Sequence, residues 1–155
     1  MNKNVLLIGS LFLLMSCKPM VDNRVILERS SSGGGLTTTN GQAIYEKAID
    51  EQKNIVVLLG IDDCLSCTEA KDQCDAYGRL KVCDIYYVNL STIDEEQYNY
   101  LLRATSYIND AYSLPEYGKE ISLPKCYIFS LQGVVIAFSD NYVSKLDTFV
   151  KVVDL

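Results

Sequence analysis

Histidine and tryptophan are absent from the sequence. Without histidine there is no Ser-His-Asp triad, no Cys-His nucleophile pair, and no imidazole ligand for zinc, haem or copper. Positive charge is scarce as well. Fourteen Lys and Arg stand against twenty Asp and Glu, a formal net charge of −6, and no basic run occurs. That balance argues against nucleic acid as a partner. What is present is 155 residues, 48% of them hydrophobic, which suits one domain with a core of its own. Six of those residues are cysteine.

The N-terminus reads as an export signal. In "MNKNVLLIGSLFLLMSC" a lysine precedes an apolar run from Val5 to Met15, too short to span a bilayer. The run ends in Leu14-Met15-Ser16-Cys17, which resembles the lipobox of bacterial lipoproteins. The resemblance implies a signal peptide over residues 1–16 and diacylation of Cys17, with palmitate among the acyl groups. Lipidation places the chain in the bacterial cell envelope, with its domain outside the cytoplasm, in the periplasm, where disulfides persist. Lys18 follows Cys17 where an Asp often marks inner-membrane retention, which points to the outer membrane. Residues 17–36 include "ERSSSGGGL", a small, polar, Gly-rich stretch expected to act as a flexible tether. The folded domain is expected over residues 37–155.

Within that domain, elements alternate. Thr39 or Asn40 is placed to cap a helix with Ala43, Ile44, Ala48 and Ile49 on one side. "NIVVLLG" is a continuous apolar run, suited to a strand buried on both faces. A helix follows in which Cys67, Ala70, Cys74 and Tyr77 fall on one stripe. "VCDIYYVNL" is a second buried strand. Asp94 opens a helix to about Ile108, with Tyr98, Leu101, Leu102 and Ile108 inward. "SLPKCYIFSLQGVVIAFS" reads as two strands turning at Gln132-Gly133. Tyr142 to Val153 is expected to close the chain as a helix, with Val143, Leu146, Phe149, Val150 and Val153 inside. The expected order is α-β-α-β-α-β-β-α: a parallel βαβ half, then an antiparallel ββα half.

Cys64 and Cys67 have C-x-x-C spacing between the first buried strand and its helix. Such spacing is compatible with a redox pair, half of a metal site, or two small core residues. A metal site made of cysteines alone would have to recruit Cys74, two turns from Cys67 and roughly ~10 Å along the axis.

Element order, the Cys64-Leu65-Ser66-Cys67 motif and Leu123-Pro124 before the hairpin together resemble the thioredoxin superfamily, over roughly residues 40–155. The resemblance implies an α/β thioredoxin-like fold, a central mixed sheet flanked by helices. It implies thiol–disulfide exchange through Cys64 and Cys67 on protein disulfides or dithiols, with a separate redox partner to recycle the pair. No metal and no cofactor beyond the cysteines is called for, and the domain is expected as a monomer. Leu123-Pro124 matches the family's cis-proline, which faces the redox cysteines and positions backbone groups for client binding. The chain departs from thioredoxins proper in three places. Asp63 stands for the Trp before the first Cys, Leu65-Ser66 for Gly-Pro, and Leu58 for a buried, proton-moving Asp. Those departures leave a second reading: a non-catalytic lipoprotein that binds or scaffolds a partner, its Cys64–Cys67 pair structural or unused.

A cysteine opening a helix is activated as a thiolate by the helix dipole and free N–H groups, so Cys64 is the expected attacking thiol and Cys67 the resolving one. Asp62 and Asp63 oppose that activation, and Ser66 is placed to donate a hydrogen bond. Cys74, Cys83 and Cys126 read first as small buried hydrophobes. Cys74 and Cys83, on an antiparallel helix and strand, could also form a structural disulfide. Tyr98, Tyr100, Tyr107, Tyr112 and Tyr117 are read as packing residues, with an aromatic client groove as the sharper alternative.

Overall fold

A computed structural model describes residues 21–107, 110–131 and 133–154. The signal peptide, Cys17, Lys18, Ile108 and Gln132 lie outside the described residues.

The two apolar runs form strands because both of their faces are covered. β3 (Ile55–Gly60) is buried throughout. Its alternate side chains serve two cores: Val56 and Leu58 pack in one, Ile55, Val57 and Leu59 in the other. β4 (Asp84–Asn89) lies parallel to it, with Leu58 opposite Tyr87. α2 (Leu65–Lys81) crosses between them and buries Cys67, Ala70, Cys74 and Tyr77, the stripe expected from spacing. α1 (Gly41–Tyr45) starts at Asn40, whose side chain accepts the Ala43 N–H, and continues as a wider turn over Glu46–Asp50. α3 (Glu95–Ser106) starts at Asp94, whose carboxylate accepts the Gln97 N–H at 2.9 Å. α1 and α3 cover one face of the sheet. α2 and α4 (Tyr142–Phe149) cover the other.

β5 (Lys125–Ser130) runs antiparallel to β3, and β6 (Gly133–Phe138) antiparallel to β5. The sheet order is β2-β4-β3-β5-β6, a mixed sheet flanked by helices as expected.

Three strands were not anticipated. β1 (Val25–Glu28), β2 (Gly35–Thr38) and β7 (Val150–Val153) all fall where the sequence suggests tether or helix. β2 extends the main sheet parallel to β4, and β1 pairs parallel with β7 as a separate two-stranded sheet. The tether therefore does not reach residue 36.

The glycine run misleads because its glycines serve close backbone approach. Gly34 has φ +74°, and a Cβ there would lie 2.4 Å from the Gly78 carbonyl oxygen. Gly35 donates its N–H to the Cys83 carbonyl at 3.0 Å, and Leu36 donates to the Asp75 carboxylate at 2.8 Å. Arg79 beside it, then the Leu36 N–H, hold the Asp75 carboxyl below its ordinary value. Leu27 of β1 is buried in the core. The closing helix is likewise shorter than expected. It ends at Phe149, and the β-branched run Val150-Lys151-Val152-Val153 pairs with β1. Leu146 and Val150 are buried as expected, whereas Val143 and Phe149 are exposed.

Candidate functional site

The site lies at the C-terminal end of β3. Gly60 ends that strand with no side chain, and a Cβ there would meet the Tyr87 hydroxyl at 2.8 Å and Cys67 Cβ at 3.3 Å. Glycine thus lets Cys67 and Tyr87 close over the strand end. The loop that follows is pinned to the end of β4. Asp62 donates its N–H to Ser91 Oγ at 2.9 Å and accepts from Asn89 Nδ2 at 2.8 Å. Asp63 takes a left-handed backbone conformation, φ 54°, and turns the chain into α2.

Cys64 is the N-cap of α2. Its sulfur accepts the Cys67 N–H at 3.1 Å and lies 3.4 Å from Ser66 Oγ. An N-cap normally supplies an oxygen to one of the free N–H groups at a helix start. Here sulfur takes that role, in the one position of α2 where the helix favours negative charge. Cys64 and Cys67 are joined by a disulfide, with their Cα atoms 5.2 Å apart. Cys64 is half-buried and Cys67 is buried, so an incoming group meets Cys64 first.

The Leu123–Pro124 peptide bond is cis. β5 pairs Lys125 with Leu59, and continuing that register sets Pro124 opposite Gly60. Pro124 and Ser66 line one shallow cleft, together with Ala70, Gln73 and Tyr142. Leu123 is half-buried against the other core. The apolar rim beside Cys64 is formed by the exposed Ile61 and Leu65.

The core beneath the pair holds features that spacing alone did not reveal. Leu58 is fully buried at the position that matches the buried, proton-moving Asp of thioredoxins proper. Tyr87 fills the adjacent position on β4, with the Lys71 ammonium 4.4 Å from its ring centroid. Burial, then the Asp62 charge, push the Tyr87 hydroxyl above its ordinary pKa, so it stays protonated. Period-two alternation along β4 places Tyr87 on the α2 face. Its nearness to Cys67 depends on the parallel register with β3, which the sequence does not display.

Cys74, Cys83 and Cys126 are free thiols, all fully buried, as the reading of them as small hydrophobes has it; the alternative, a Cys74–Cys83 disulfide, is not formed. Cys83 follows a left-handed Val82 and donates its N–H to the Gly78 carbonyl, so it lies level with the end of α2. Cys74 is more than a turn further up, and its neighbour is Cys126 on β5. Burial, with Asp84 adding to it, pushes the Cys83 thiol up to about 11. Cys126 is pushed well above the ordinary thiol value by burial and then by its hydrogen bond with Cys74. Among the described residues no three Cys, Asp or Glu side chains converge as metal ligands.

The tyrosines pack. Tyr98 donates its hydroxyl to the Pro115 carbonyl at 2.7 Å and meets Tyr117 edge-on. Tyr100 and Tyr45 are tilted against each other, with the Arg103 guanidinium 4.4 Å from the Tyr100 ring centroid. Tyr107 is exposed.

No family model matches the sequence, and no curated protein matches it. Solved structures do match. A thioredoxin-fold protein proposed to be an oxidoreductase is similar with a TM-score of 0.53 and 18% identity, over 72% of this chain and 90% of that one. Oxidised thioredoxin O1 from Arabidopsis thaliana gives a TM-score of 0.47 and 13% identity, over 73% of this chain and 92% of that one. At 18% identity the first likeness concerns the fold, and the chain has the thioredoxin fold.

Proposed function

We propose that the chain is a thiol–disulfide oxidoreductase of the bacterial cell envelope, held to a membrane by a lipid on Cys17 and acting on protein disulfides or dithiols. One observation carries the redox reading. A disulfide-bonded C-x-x-C pair caps a helix, with the outer sulfur accessible and hydrogen-bonded to the helix backbone while the inner sulfur is buried.

That arrangement supports exchange in either direction. In the disulfide form, a client thiolate attacks Cys64 Sγ, the Cys64–Cys67 bond breaks, and Cys67 leaves as a thiolate. A second client thiolate then attacks the client sulfur of the mixed disulfide. The client gains a disulfide and the pair is left as a dithiol. Run in reverse, the Cys64 thiolate opens a client disulfide and Cys67 resolves the intermediate. The Cys67 N–H, already directed at Cys64 Sγ, stabilises that sulfur as an anion at no cost in reorganisation. Leu58 supplies no proton to Cys67. The Tyr87 hydroxyl and Cys67 border the same Gly60 position, which suits Tyr87 to donate a hydrogen bond to a departing Cys67 thiolate. An extended client segment fits beside cis-Pro124 and against Ile61 and Leu65, by backbone pairing of the strand-addition kind. A redox partner of the same thiol chemistry is needed to recycle the pair.

The buried Leu58 also favours a second reading, a binding domain whose disulfide is permanent. Titration with reduced and oxidised glutathione, followed by thiol trapping, separates the two. The oxidoreductase interconverts reversibly at compartment potentials. A pair that stays oxidised below about −300 mV sinks the enzymatic reading and leaves the binding one.

A further inference from the structure

The redox pair occupies one end of the sheet, and the opposite end has no part in its chemistry. Two rulers measure the separation. β3 has six residues, about 20 Å, and starts at the far end. α2 has seventeen residues, about 25 Å, and finishes there. β1 and β7 are attached at this same end. The Asn54 side chain donates to the Ile26 carbonyl at 2.8 Å, directly before β3 begins. Ser30 donates its N–H to the Val82 carbonyl at 2.8 Å, directly after α2 ends. β5 runs antiparallel to β3, so Leu131 beyond its last residue lies there as well.

This far end exposes a group of apolar side chains. Val21, Ile26, Leu80, Leu131 and Phe149 are all exposed large hydrophobics. Val21 and Phe149 line one cleft, Ile26 and Leu131 the next, and Asn23 and Arg24 form the wall between them. The charges around it are mixed although the chain is acidic. Arg24 and Lys151 pair with Asp22, Arg29 with Asp154, Lys53 with Glu51 and Lys81 with Asp147. The redox end exposes fewer large apolar side chains, Ile61 and Leu65 beside Cys64, and sets the acidic Asp62 and Asp63 between them.

We propose that the far end seats on the lipid bilayer, with these five apolar side chains at headgroup depth, and that Cys64 and Cys67 consequently face away from the membrane. The proposal rests on the lipid anchor at Cys17 and adds an orientation to it. Chain length selects that orientation. Val21 is the fourth residue after Cys17, so even fully extended the link between them reaches only about 14 Å. A free tether to residue 36 would permit every orientation. Asp22, five residues or about 18 Å of extended chain from Cys17, is held at the far end by Lys151 of β7 at 3.6 Å, so the anchor falls short of the 20–25 Å length of the domain and does not bring the redox end down. Clients therefore reach the pair from the aqueous side.

The absence of tryptophan makes the test direct, because each introduced indole reports alone. Leu65 and Leu80 sit at opposite ends of α2 and are 77% and 76% exposed. Full-length Leu80→Trp and Leu65→Trp chains are processed in the cell, purified from membranes and reconstituted into phosphatidylcholine–phosphatidylglycerol vesicles with brominated acyl chains. At an insertion depth of about 5–10 Å, Leu80→Trp loses about half its emission relative to unbrominated vesicles, while Leu65→Trp is unchanged. Quenching of Leu65→Trp, or of neither indole while mass spectrometry finds Cys17 acylated, overturns the orientation and leaves the anchor standing. An unacylated Cys17 overturns the anchor and the orientation together. A concentration-dependent shift of the Leu80→Trp emission in lipid-free detergent would assign the apolar end to a second copy of the chain, which also overturns the proposal.

Discussion

Five cysteines in the described residues occupy two kinds of place. Cys64 and Cys67 stand at the start of α2, where backbone N–H groups lack partners within the helix and Cys64 Sγ accepts one of them, with Cys64 half-buried and Cys67 buried behind it. Cys74, Cys83 and Cys126 lie among Leu58, Ile85 and Ile128, fully buried and reduced. The element is the same and the chemistry is opposite. At the helix start, fixed dipoles favour the thiolate, which is the reactive form. In the core, desolvation disfavours the anion and raises the Cys83 and Cys126 thiols, and the thiol acts as a small hydrophobe. Cys67 and Cys74 share one helical stripe, so two turns of helix are enough to separate the two behaviours.

The strongest way to sharpen this contrast is to remove the outer sulfur. Cys64→Ser should lower reduction of a model protein disulfide to background, a loss on the order of 10³-fold or more. Cys67→Ser should retain attack and accumulate mixed disulfides, visible on non-reducing gels. A Cys64→Ser chain that keeps its rate would show that the pair is not the working site.

A smaller effect is expected in the core. Replacing Cys74, Cys83 and Cys126 together by Ala should cost about 1 kcal/mol per site in denaturant unfolding, from lost packing, with the exchange rate unchanged. If exchange falls with stability corrected for, electrons pass through the buried thiols, and the division into two kinds of cysteine breaks down.

The smallest effect is alkaline. An unfolded thiol releases its proton near 9.0, whereas folded Cys83 holds it to about 11. The unfolded state therefore binds fewer protons across that window, and stability declines as pH rises through it. Tyr142, pushed up to about 12 by burial and by the neighbouring Cys126 and Cys74, adds in the same direction. Denaturation midpoints measured from pH 8 to 11 should fall, and should fall less steeply in Cys83→Ala. An equal slope in the variant would remove Cys83 as a cause.

Residues that face a core on both sides advertise themselves, so β3, β4 and the α2 stripe were legible as apolar runs and a helical period. The Cys64–Cys67 pair was legible because it sits where a strand run gives way to a helical one. β1, β2 and β7 were not. Their places are set by backbone contacts of Gly34 and Gly35 and by pairing across most of the chain, and neither leaves a local pattern. The neighbour of Cys74 was not legible for a related reason. The antiparallel helix and strand offered Cys83 as one alternative, while the β3–β5 register, which brings Cys126 opposite Leu58, is a long-range fact. Tyr87 beside Cys67 depends on the β3–β4 register in the same way.

The β1–β7 pair has a consequence for how the molecule is made. Arg29 and Asp154 are joined across 125 residues, next to the register that pairs Val25 with Val150. A ribosome produces β1 early and β7 late, so β1 waits through the synthesis of every other element before its partner exists. Such distant pairing raises contact order and slows the closing step. Until then Leu27 has no cover from β7, and β1 is an open strand edge available to chaperones or to a neighbouring nascent chain. The domain is closed by a zip between two segments far apart in sequence, and that closure waits until β7 is available to β1.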